Sequence, residues 1–274
     1  MGTPLVSLIV PTFERPQSLR LVLASLDFQT GVSHRDMEIV VADDGSQDHT
    51  AEVVERFRAK SRFRVIYTTH EHHGFQLART RNDGVRASSA PYLVFLDGDC
   101  VAPANHVARH LRHRRPRTVM AGFYYYLDRA ASARIDEGAI EQGGFEHWVT
   151  AKHHRQLSIM DWKARFYALV RHPRRPKLYG GDIGIWRRDY EAVNGFNEEF
   201  TGWGCEDDEF AVRLRKAGIR IRSILRWTRT YHLWHPPVPS HPGLWKHGAN
   251  VAKLWHESSR ATPRCERGLQ NPAA

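Results

Sequence analysis

Short apolar runs alternate with helical patterns along the first part of the chain. Residues 5–10, 37–42, 64–67 and 92–96 are mostly apolar without strict polar alternation, which is typical of strands buried on both faces. Between them, residues 18–28, 48–57 and 77–87 have apolar side chains at helical spacing, such as Leu19, Val22 and Leu26. This alternation predicts an α/β fold, with a mostly parallel sheet and helices on both faces.

The pattern changes after residue 126. Residues 127–178 are basic and aromatic with few strand signals, and 146–170 predict one or two helices. We interpret 127–178 as a helical insertion that either covers the sheet or presents an amphipathic surface to membrane lipid or an acceptor. Strand–helix alternation resumes with a predicted strand at 183–186 and a helix at 188–193.

This organisation predicts a single domain at residues 1–260. The insertion separates a first half, 1–126, from a second half, 179–235, and residues 261–274 are expected to form a flexible tail. No apolar run reaches the roughly 20 residues of a membrane span. The run at 5–10 is too short for a signal peptide and leads into Pro11. We therefore expect a cytoplasmic protein.

The composition is that of a folded, basic protein. Hydrophobic residues make up 41% of the 274 positions, and the formal net charge is +10 with a pI of about 9.8. Such a charge attracts the phosphates of nucleotides, nucleic acid or anionic lipid. The three cysteines, Cys100, Cys205 and Cys265, lack CxxC spacing, which argues against a disulfide framework and a structural zinc site.

Polar residues follow three predicted strands at their carboxyl ends. These segments are Pro11-Thr12-Phe13-Glu14-Arg15, Asp43-Asp44-Gly45-Ser46 and Asp97-Gly98-Asp99. The carboxyl ends of parallel strands share one edge, and ligands of such sheets bind there. Asp97 and Asp99 are compatible with a simple turn. Two carboxylates at a ligand edge also suit Mg²⁺ or Mn²⁺, either of which can bind a diphosphate.

A second acidic cluster opens a predicted helix, in the segment Trp203-Gly204-Cys205-Glu206-Asp207-Asp208-Glu209. Acids at a helix start and basic residues near its end favour the helix dipole. The dipole does not explain the aromatic residue and glycine just upstream, which can border a pocket. Crowded carboxylates raise one another's pKa, which suits a general base acting on a hydroxyl.

Four blocks of sequence carry a family resemblance. They are "SLIVPTFERP", "EIVVADDGSQDHT", "ARTRNDGVRASSAPYLVFLDGDC" and "GGDIGIWRRDYEAVNGFNEEFTGWGCEDDEFAVRLRKAG". In this order they resemble family 2 glycosyltransferases of the GT-A fold, and the last block resembles β-1,4-galactosyltransferases and chondroitin-polymerase-type enzymes. The resemblance implies a Rossmann-like mixed sheet flanked by helices. It also implies metal-dependent, inverting sugar transfer from a nucleotide-sugar, with UDP as the expected nucleotide, to a glycan or lipid-linked acceptor.

The resemblance implies roles for particular residues. It places nucleotide contacts at Pro11, Thr12, Phe13, Glu14, Arg15, Asp43, Asp44, Arg79, Arg81, Asp97 and Gly98, with Asp43 on the base and Arg79 or Arg81 near the phosphates. It places ligands for Mn²⁺ or Mg²⁺ at Asp97, Asp99 and His232, with His235 a weaker candidate. It places donor and acceptor contacts at Gly180, Gly181, Asp182, Trp203, Gly204 and Glu206, and the catalytic base at Asp207.

Other functions stay open at this stage. A sugar nucleotidyltransferase also uses strand-end aspartates and a metal, but usually has a glycine-rich loop where this chain has residues 11–15. A basic nucleic-acid-binding protein would suit the charge, although no recognised module is present, so we expect no nucleic-acid partner. An inactive sugar-binding domain is disfavoured by intact Asp99, Asp207 and His232. UDP-galactose, UDP-GalNAc, UDP-GlcNAc and UDP-glucuronate all fit as donors, and the basic surface could contact an anionic membrane.

Overall fold

The computed structural model describes residues 2–236, 248–259 and 262–272. The strands are β1 (Val6–Thr12), β2 (Met37–Asp43), β3 (Arg64–Thr69), β4 (Tyr92–Leu96), β5 (Cys100–Val101), β6 (Thr118–Ala121), β7 (Tyr124–Tyr126), β8 (Asp182–Trp186), β9 (Arg220–Ser223) and β10 (Thr230–His232). The helices are α1 (Pro16–Asp27), α2 (Thr50–Arg58), α3 (Leu77–Ala87), α4 (His106–His113), α5 (Arg129–Ala133), α6 (Glu137–Gln142), α7 (Ala151–Leu169), α8 (Arg187–Ala192), α9 (Glu206–Lys216) and α10 (Ala249–Ser259).

Seven strands form the main sheet, in the order β3-β2-β1-β4-β8-β6-β9. All neighbouring pairs are parallel except those of β8, which runs antiparallel to β4 and to β6. Pro11 belongs to β1 but lies beyond the last β1–β4 pair, Ile9 with Phe95, so its missing N–H disturbs no pairing on that side. The predicted class, a mixed and mostly parallel α/β sheet, is confirmed.

Both faces of the sheet are buried. Along β1, Leu8 packs in a cluster with Leu19 of α1, whereas its neighbour Ile9 packs on the opposite face with Val85 of α3 and Phe210 of α9. Successive side chains of a strand point to opposite faces, so a strand covered on both sides must be apolar throughout. This is why the predicted strand and helix pattern of the first half agrees closely with the structure.

The region 127–178 is helical, as its composition suggested, and packs beside a second, smaller sheet. That sheet has the order β5-β10-β7. A separate apolar cluster includes Tyr125, Phe145, Leu157 and Tyr231. In the described part of the chain, no helix has both the length and the apolar character needed to cross a membrane.

The end of the chain differs from the expected flexible tail. The Asn194 Nδ2 donates to the Cys265 carbonyl over 3.0 Å, and the Arg86 Nε donates to the Leu269 carbonyl over 2.9 Å. The Cys265 side chain is buried. Because these polar and apolar contacts join residues 262–272 to the domain, the segment is a packed part of it. Positions 261, 273 and 274 of the predicted tail, like 237–247 of the predicted domain, lie outside the described residues.

Candidate active site

The carboxyl ends of β1, β2 and β4 meet at one edge of the main sheet, as predicted. The Gly98 N–H donates to the Pro11 carbonyl over 3.0 Å, and the Asp44 N–H donates to the Thr12 carbonyl over 3.0 Å. A Cβ on Gly98 would lie 2.7 Å from the Pro11 carbonyl oxygen, so only glycine allows this approach. The two aspartate-bearing segments therefore flank the loop after β1.

Asp43 lies at the end of β2 and is held by protein donors. The hydroxyls of Ser46 and Tyr67 donate to its carboxylate over 2.6 and 2.7 Å. Nearby, the rings of Phe13 and His72 stack with their centroids 4.2 Å apart and their planes 11° apart. The stacked Phe13 and His72 rings and the fixed Asp43 carboxylate therefore lie close to the carboxyl ends of β1 and β2.

Asp44 takes part in a buried hydrogen-bond chain. Its carboxylate lies 2.8 Å from the Nε2 of His70, whose Nδ1 lies 2.8 Å from Asp83. These hydrogen bonds, opposed by burial, raise the pKa of His70 from 6.5 to about 9. His70 is therefore an imidazolium at neutral pH, between two carboxylates. Arg79, which we expected near the phosphates, lies 4.0 Å from Asp83.

Asp99 faces two histidines from the end of β10. The Nε2 atoms of His232 and His235 lie 3.6 and 3.4 Å from its two carboxylate oxygens, and one donor atom from each residue lies within 4.8 Å of the others. Antiparallel pairing of β5 with β10 places His232 opposite Cys100, directly beside Asp99. His235, the weaker candidate by sequence, is thus as well placed as His232.

The chemistry of this set fits a divalent cation. Two imidazole nitrogens and a carboxylate suit transition metals, including Mn²⁺. Burial raises the pKa of Asp99, but the His235 hydrogen bond and the charges of His232 and Arg15 outweigh it, and the net pKa is lowered. Asp99 is therefore ionised at neutral pH, the form in which a carboxylate binds metal.

Asp97 lies outside this cluster, contrary to our expectation of a further metal ligand. Its carboxylate turns to Arg81, with 3.2 Å between the Nη2 and Oδ1 atoms. Burial raises the pKa of Asp97 to about 6, although the Arg81 charge opposes that shift. The chain turns at Gly98 and Asp99, so the two carboxylates point to different partners.

Arg81 is the centre of the acidic site. Its guanidinium is almost fully buried and contacts three carboxylates: Asp207 at 3.0 Å, Asp97 at 3.2 Å and Glu206 at 3.4 Å. Arg81, which we expected near the phosphates, is instead buried and directs its Nη atoms at these three acids. Their charges outweigh the effect of burial and raise the pKa of Arg81. Arg81 therefore joins the β4 edge to the start of α9.

Asp207 and Glu206 begin α9 and differ in their surroundings. The Gly180 N–H donates to the Asp207 Oδ2 over 2.8 Å, which fixes this carboxylate together with Arg81. Burial, followed by the nearby charge of Asp207, raises the pKa of Glu206 to about 8. Glu206 therefore carries a proton at neutral pH and can donate a hydrogen bond.

The loop before α9 is shaped by left-handed backbone. Gly204 has φ +94° and Cys205 has φ +72°. Asn250 of α10 donates its Nδ2 to the Gly204 carbonyl over 3.0 Å, which fastens the loop. Trp203 remains 38% exposed. A partly exposed aromatic side chain therefore precedes Glu206 by three residues, and its predicted role in binding a sugar ring stays a prediction.

Gly180 and Gly181 lie against the acids, but Asp182 does not. A Cβ on Gly180 would lie 2.3 Å from the Asp207 Oδ1, and one on Gly181 would lie 2.2 Å from the Asp97 Oδ2. Asp182 is fully buried, and its nearest charged neighbours are His106 and His110 on α4. The expectation that Asp182 lines the donor pocket is therefore wrong, because Gly181 and Asp182 belong to different surroundings at the start of β8.

Several residues of the site were not identified from the sequence. His70 lacked any local signal, since its partners come from β2 and α3. His106 and His110 did carry a signal, because histidines four apart share one face of a helix. That spacing stands within the strongly basic segment 106–117, for which we predicted no site.

The fold and the site define a class of protein. A mixed α/β sheet with acids at the carboxyl ends of its strands, facing a carboxylate-rich helix start, is the arrangement of GT-A glycosyltransferases. Solved structures agree on the fold. TarS (residues 1–349) from S. aureus in complex with UDP-GlcNAc has a TM-score of 0.64 at 17% identity, covering 92% of this chain and 66% of that one. A mannosyltransferase from Pyrobaculum calidifontis with GDP-Man and Mn²⁺ has a TM-score of 0.59 at 16% identity, covering 94% and 63%.

The chain belongs to glycosyl transferase family 2, whose model matches residues 7–174. Residues 163–236 match the family described as N-terminal domain of galactosyltransferase. Validoxylamine A glucosyltransferase of Streptomyces hygroscopicus subsp. limoneus is 32% identical over 264 residues, which cover 92% of this chain and 54% of the relative. Chondroitin synthase of Escherichia coli is 27% identical over 243 residues, covering 80% and 33%. The chain thus spans about half of the first relative's length and a third of the second's.

Proposed function

We propose that this protein is a metal-dependent, inverting glycosyltransferase that moves a sugar from a UDP-sugar to a hydroxyl of a glycan or lipid-linked acceptor. The observation that carries the proposal is the continuity of the site. Asp99 with its histidines lies two residues from Asp97, and Arg81 joins Asp97 to Asp207. The residues proposed to hold the leaving diphosphate, at Asp99, and the proposed base, Asp207, therefore belong to one continuous site.

The part of the sheet edge that lies between Phe13 and Asp43 is proposed to hold the nucleotide base. A stacked aromatic pair offers a flat apolar face to a base, and stacking is worth about 1–3 kcal/mol per base in single-stranded nucleic-acid binding. The Asp43 carboxylate can accept a hydrogen bond from the N3–H of uracil. TarS and the Pyrobaculum calidifontis mannosyltransferase, which share the fold, are described with bound UDP-GlcNAc and GDP-Man.

Asp99, His232 and His235 are proposed to hold a divalent cation, Mn²⁺ or Mg²⁺. When bound, such an ion stabilises the negative charge of a departing diphosphate as a Lewis acid. Arg15 lies 3.7 Å from Asp99 and is placed to add a second positive charge beside the diphosphate. The donor set, with two imidazoles, favours Mn²⁺ over Mg²⁺.

Asp207 is proposed as the base that deprotonates the acceptor hydroxyl. Its two contacts, to Arg81 and to the Gly180 N–H, hold the carboxylate in one orientation. Glu206, protonated at neutral pH, can donate a hydrogen bond to the acceptor, and Trp203 offers a face on which a sugar ring can stack. Attack on the anomeric carbon from the side opposite the diphosphate inverts the configuration.

A cleft that reaches Tyr179, the residue before Gly180, is a suitable acceptor path. It has a volume of about 390 Å³ and its lining includes Phe123, Tyr179 and Lys177. The Phe123 and Tyr179 rings meet edge to face with their centroids 4.6 Å apart. Tyr179 directly precedes Gly180, so a glycan lying on these aromatic faces would end near Asp207.

The exposed side of α7 supports a peripheral contact with anionic membrane. Trp162 and Phe166 are stacked and are 64% and 49% exposed, and the exposed basic side chain of Arg165 lies beside them. Apolar and basic side chains together favour acidic lipid surfaces. Co-sedimentation with anionic vesicles at low salt is expected, and its absence would remove this part of the proposal.

The direct test is a panel of nucleotide-sugars with simple glycosides as acceptors, with and without Mn²⁺. Release of nucleoside diphosphate should occur with at least one UDP-sugar, should require the metal, and should be lost in Asp99→Ala. Asp48→Ala, a substitution at an acid near but outside the proposed site, should leave the rate unchanged. Equal turnover in metal-free buffer would contradict the metal dependence, and release from a GDP-sugar alone would contradict the choice of UDP.

A further inference from the structure

A second cluster of potential metal ligands joins α4 to the start of β8. His106 and His110 project from α4 towards Asp182 at the start of β8, and all three side chains are fully buried. One donor atom from each lies within 4.8 Å of the others. Histidines four residues apart share one face of a helix, which is how a helix presents two imidazoles to one ion.

The distances are compatible with a common centre, although the shorter one is also that of a hydrogen bond. The Nε2 atoms of His110 and His106 lie 3.1 and 3.4 Å from the same oxygen, Asp182 Oδ1. Zinc binds nitrogen and oxygen at about 2.0–2.2 Å, so tetrahedral ligands lie about 3.3–3.5 Å from one another. A cluster held by hydrogen bonds alone would be expected to use both carboxylate oxygens, yet Asp182 Oδ2 has no hydrogen-bond partner among the described residues.

Surrounding groups orient these ligands. The His106 Nδ1 lies 2.9 Å from the Thr228 hydroxyl, which leaves the Nε2 free of a hydrogen-bond partner and directed at Asp182. A second partner of this kind on a ligating imidazole is usual in metal sites. A Cβ on Gly184 would lie 2.5 Å from the His110 Nδ1, and one on Gly122 would lie 2.1 Å from the Asp182 Oδ2. A side chain at either position would clash with the cluster, so Gly122 and Gly184 are needed for its packing.

The charge of the cluster also needs explanation. A fully buried carboxylate is costly unless a cation compensates it. Among the described residues, Asp182 pairs with two imidazoles and with no lysine or arginine, so a bound metal ion would supply the compensating positive charge.

We propose that His106, His110 and Asp182 form a buried, structural transition-metal site, with Zn²⁺ as the fitting ion and with both Asp182 oxygens available to complete four donor atoms. Imidazole donors favour zinc-type metals over Mg²⁺, and full burial suits a structural role. The metal would fasten the start of β8 to α4, immediately after Gly180 and Gly181 of the active site. The cysteine count, which argued against structural zinc, does not bear on a site built from histidine and aspartate. This inference stands independently of the proposed transferase activity.

The test measures metal retention in a background without the first cluster. The variant Asp99→Asn/His232→Gln is stripped with a chelator, reloaded with Zn²⁺, passed through gel filtration and analysed for bound zinc by mass spectrometry. We expect one equivalent of zinc. Adding His110→Gln should abolish retention, whereas His113→Gln, a substitution one turn further along α4, should leave it intact. Loading with Co²⁺ should give the visible absorption bands of a tetrahedral site.

A thermal melt gives a second measurement that does not depend on the variants of α4. Saturating Zn²⁺ should raise the Tm of the Asp99→Asn/His232→Gln background, since an ion that binds only the folded state stabilises it. No retained zinc and no change in Tm in that background would overturn the proposal. Full zinc retention in a folded His110→Gln variant would overturn it as well.

Discussion

His70 allows a quantitative test of whether the Asp44–His70–Asp83 hydrogen-bond chain stabilises the fold beside the candidate site. Its ring is bound on both sides, by Asp44 and Asp83, and its pKa is raised from 6.5 to about 9. A group whose pKa is raised by folding stabilises the native state fully below the unfolded pKa. That contribution is lost as the pH rises through the folded pKa. The difference corresponds to about 3 kcal/mol, at about 1.4 kcal/mol per pKa unit.

The side chain of His70 is only 9% exposed, so solvent screening reduces this contribution little. The substitution His70→Gln removes the titrating group. From about pH 6 to about pH 10, the wild-type protein should lose about 3 kcal/mol more of its free energy of unfolding than the variant. Urea denaturation at a series of pH values measures this difference, because the other titrating groups are common to both proteins.

His49 offers a matched control. Its ring is 79% exposed and pairs only with Glu52 at the surface, so His49→Gln should follow the wild-type pH dependence. Parallel stability curves for wild type and His70→Gln over this range would refute the reasoning. They would mean that the Asp44–His70–Asp83 chain does not carry a charge that folding stabilises.

Three further predictions concern the acidic site. Arg81→Leu leaves the Asp97 and Asp207 carboxylates without their cation and should cost about 3–5 kcal/mol of stability at neutral pH, with a smaller loss in acid. An unchanged urea midpoint would contradict this. Gly181→Ala places a Cβ 2.2 Å from the Asp97 Oδ2 and should reduce turnover. The control Gly144→Ala, whose Cβ would have no atom within 4 Å, should leave turnover unchanged. Equal rates for the two variants would contradict the close packing of Gly181 against Asp97. His235→Asn should raise the Mn²⁺ concentration needed for half-maximal activity, and an unchanged metal titration would exclude His235 as a ligand.

Much of the first half, residues 1–126, could be predicted from the sequence, because most elements there carry their own pattern. Residues 77–87 and 92–96 were predicted as helix and strand with the bounds that the structure shows. The strands Thr118–Ala121 and Arg220–Ser223 were missed. Each has four residues, and Arg220–Ser223 mixes charged and apolar positions, so their pairing depends on distant partners.

The same contrast between local patterns and distant partners applies to the residues of the candidate site. Asp99 and the acids of α9 stand at element ends, where local sequence indicates a ligand edge. The partners of Arg81 come from β4 and α9, so its position on α3 could not distinguish a contact with phosphate from one with carboxylates. Asp182 was misassigned for a related reason: strand alternation shows that Asp182 and Ile183 face opposite sides, but not which side faces the ligand.

The most direct test of the central claim is the turnover of Asp207→Asn with a UDP-sugar and Mn²⁺, measured beside UDP binding by the same preparation. Asparagine keeps an oxygen for the Gly180 N–H but cannot accept the acceptor proton. We predict that turnover falls by about 10²–10⁴-fold, the usual contribution of a general base, while UDP affinity stays within a factor of about two. Near-normal turnover, or loss of turnover together with loss of UDP binding, would contradict the role of Asp207 as the base.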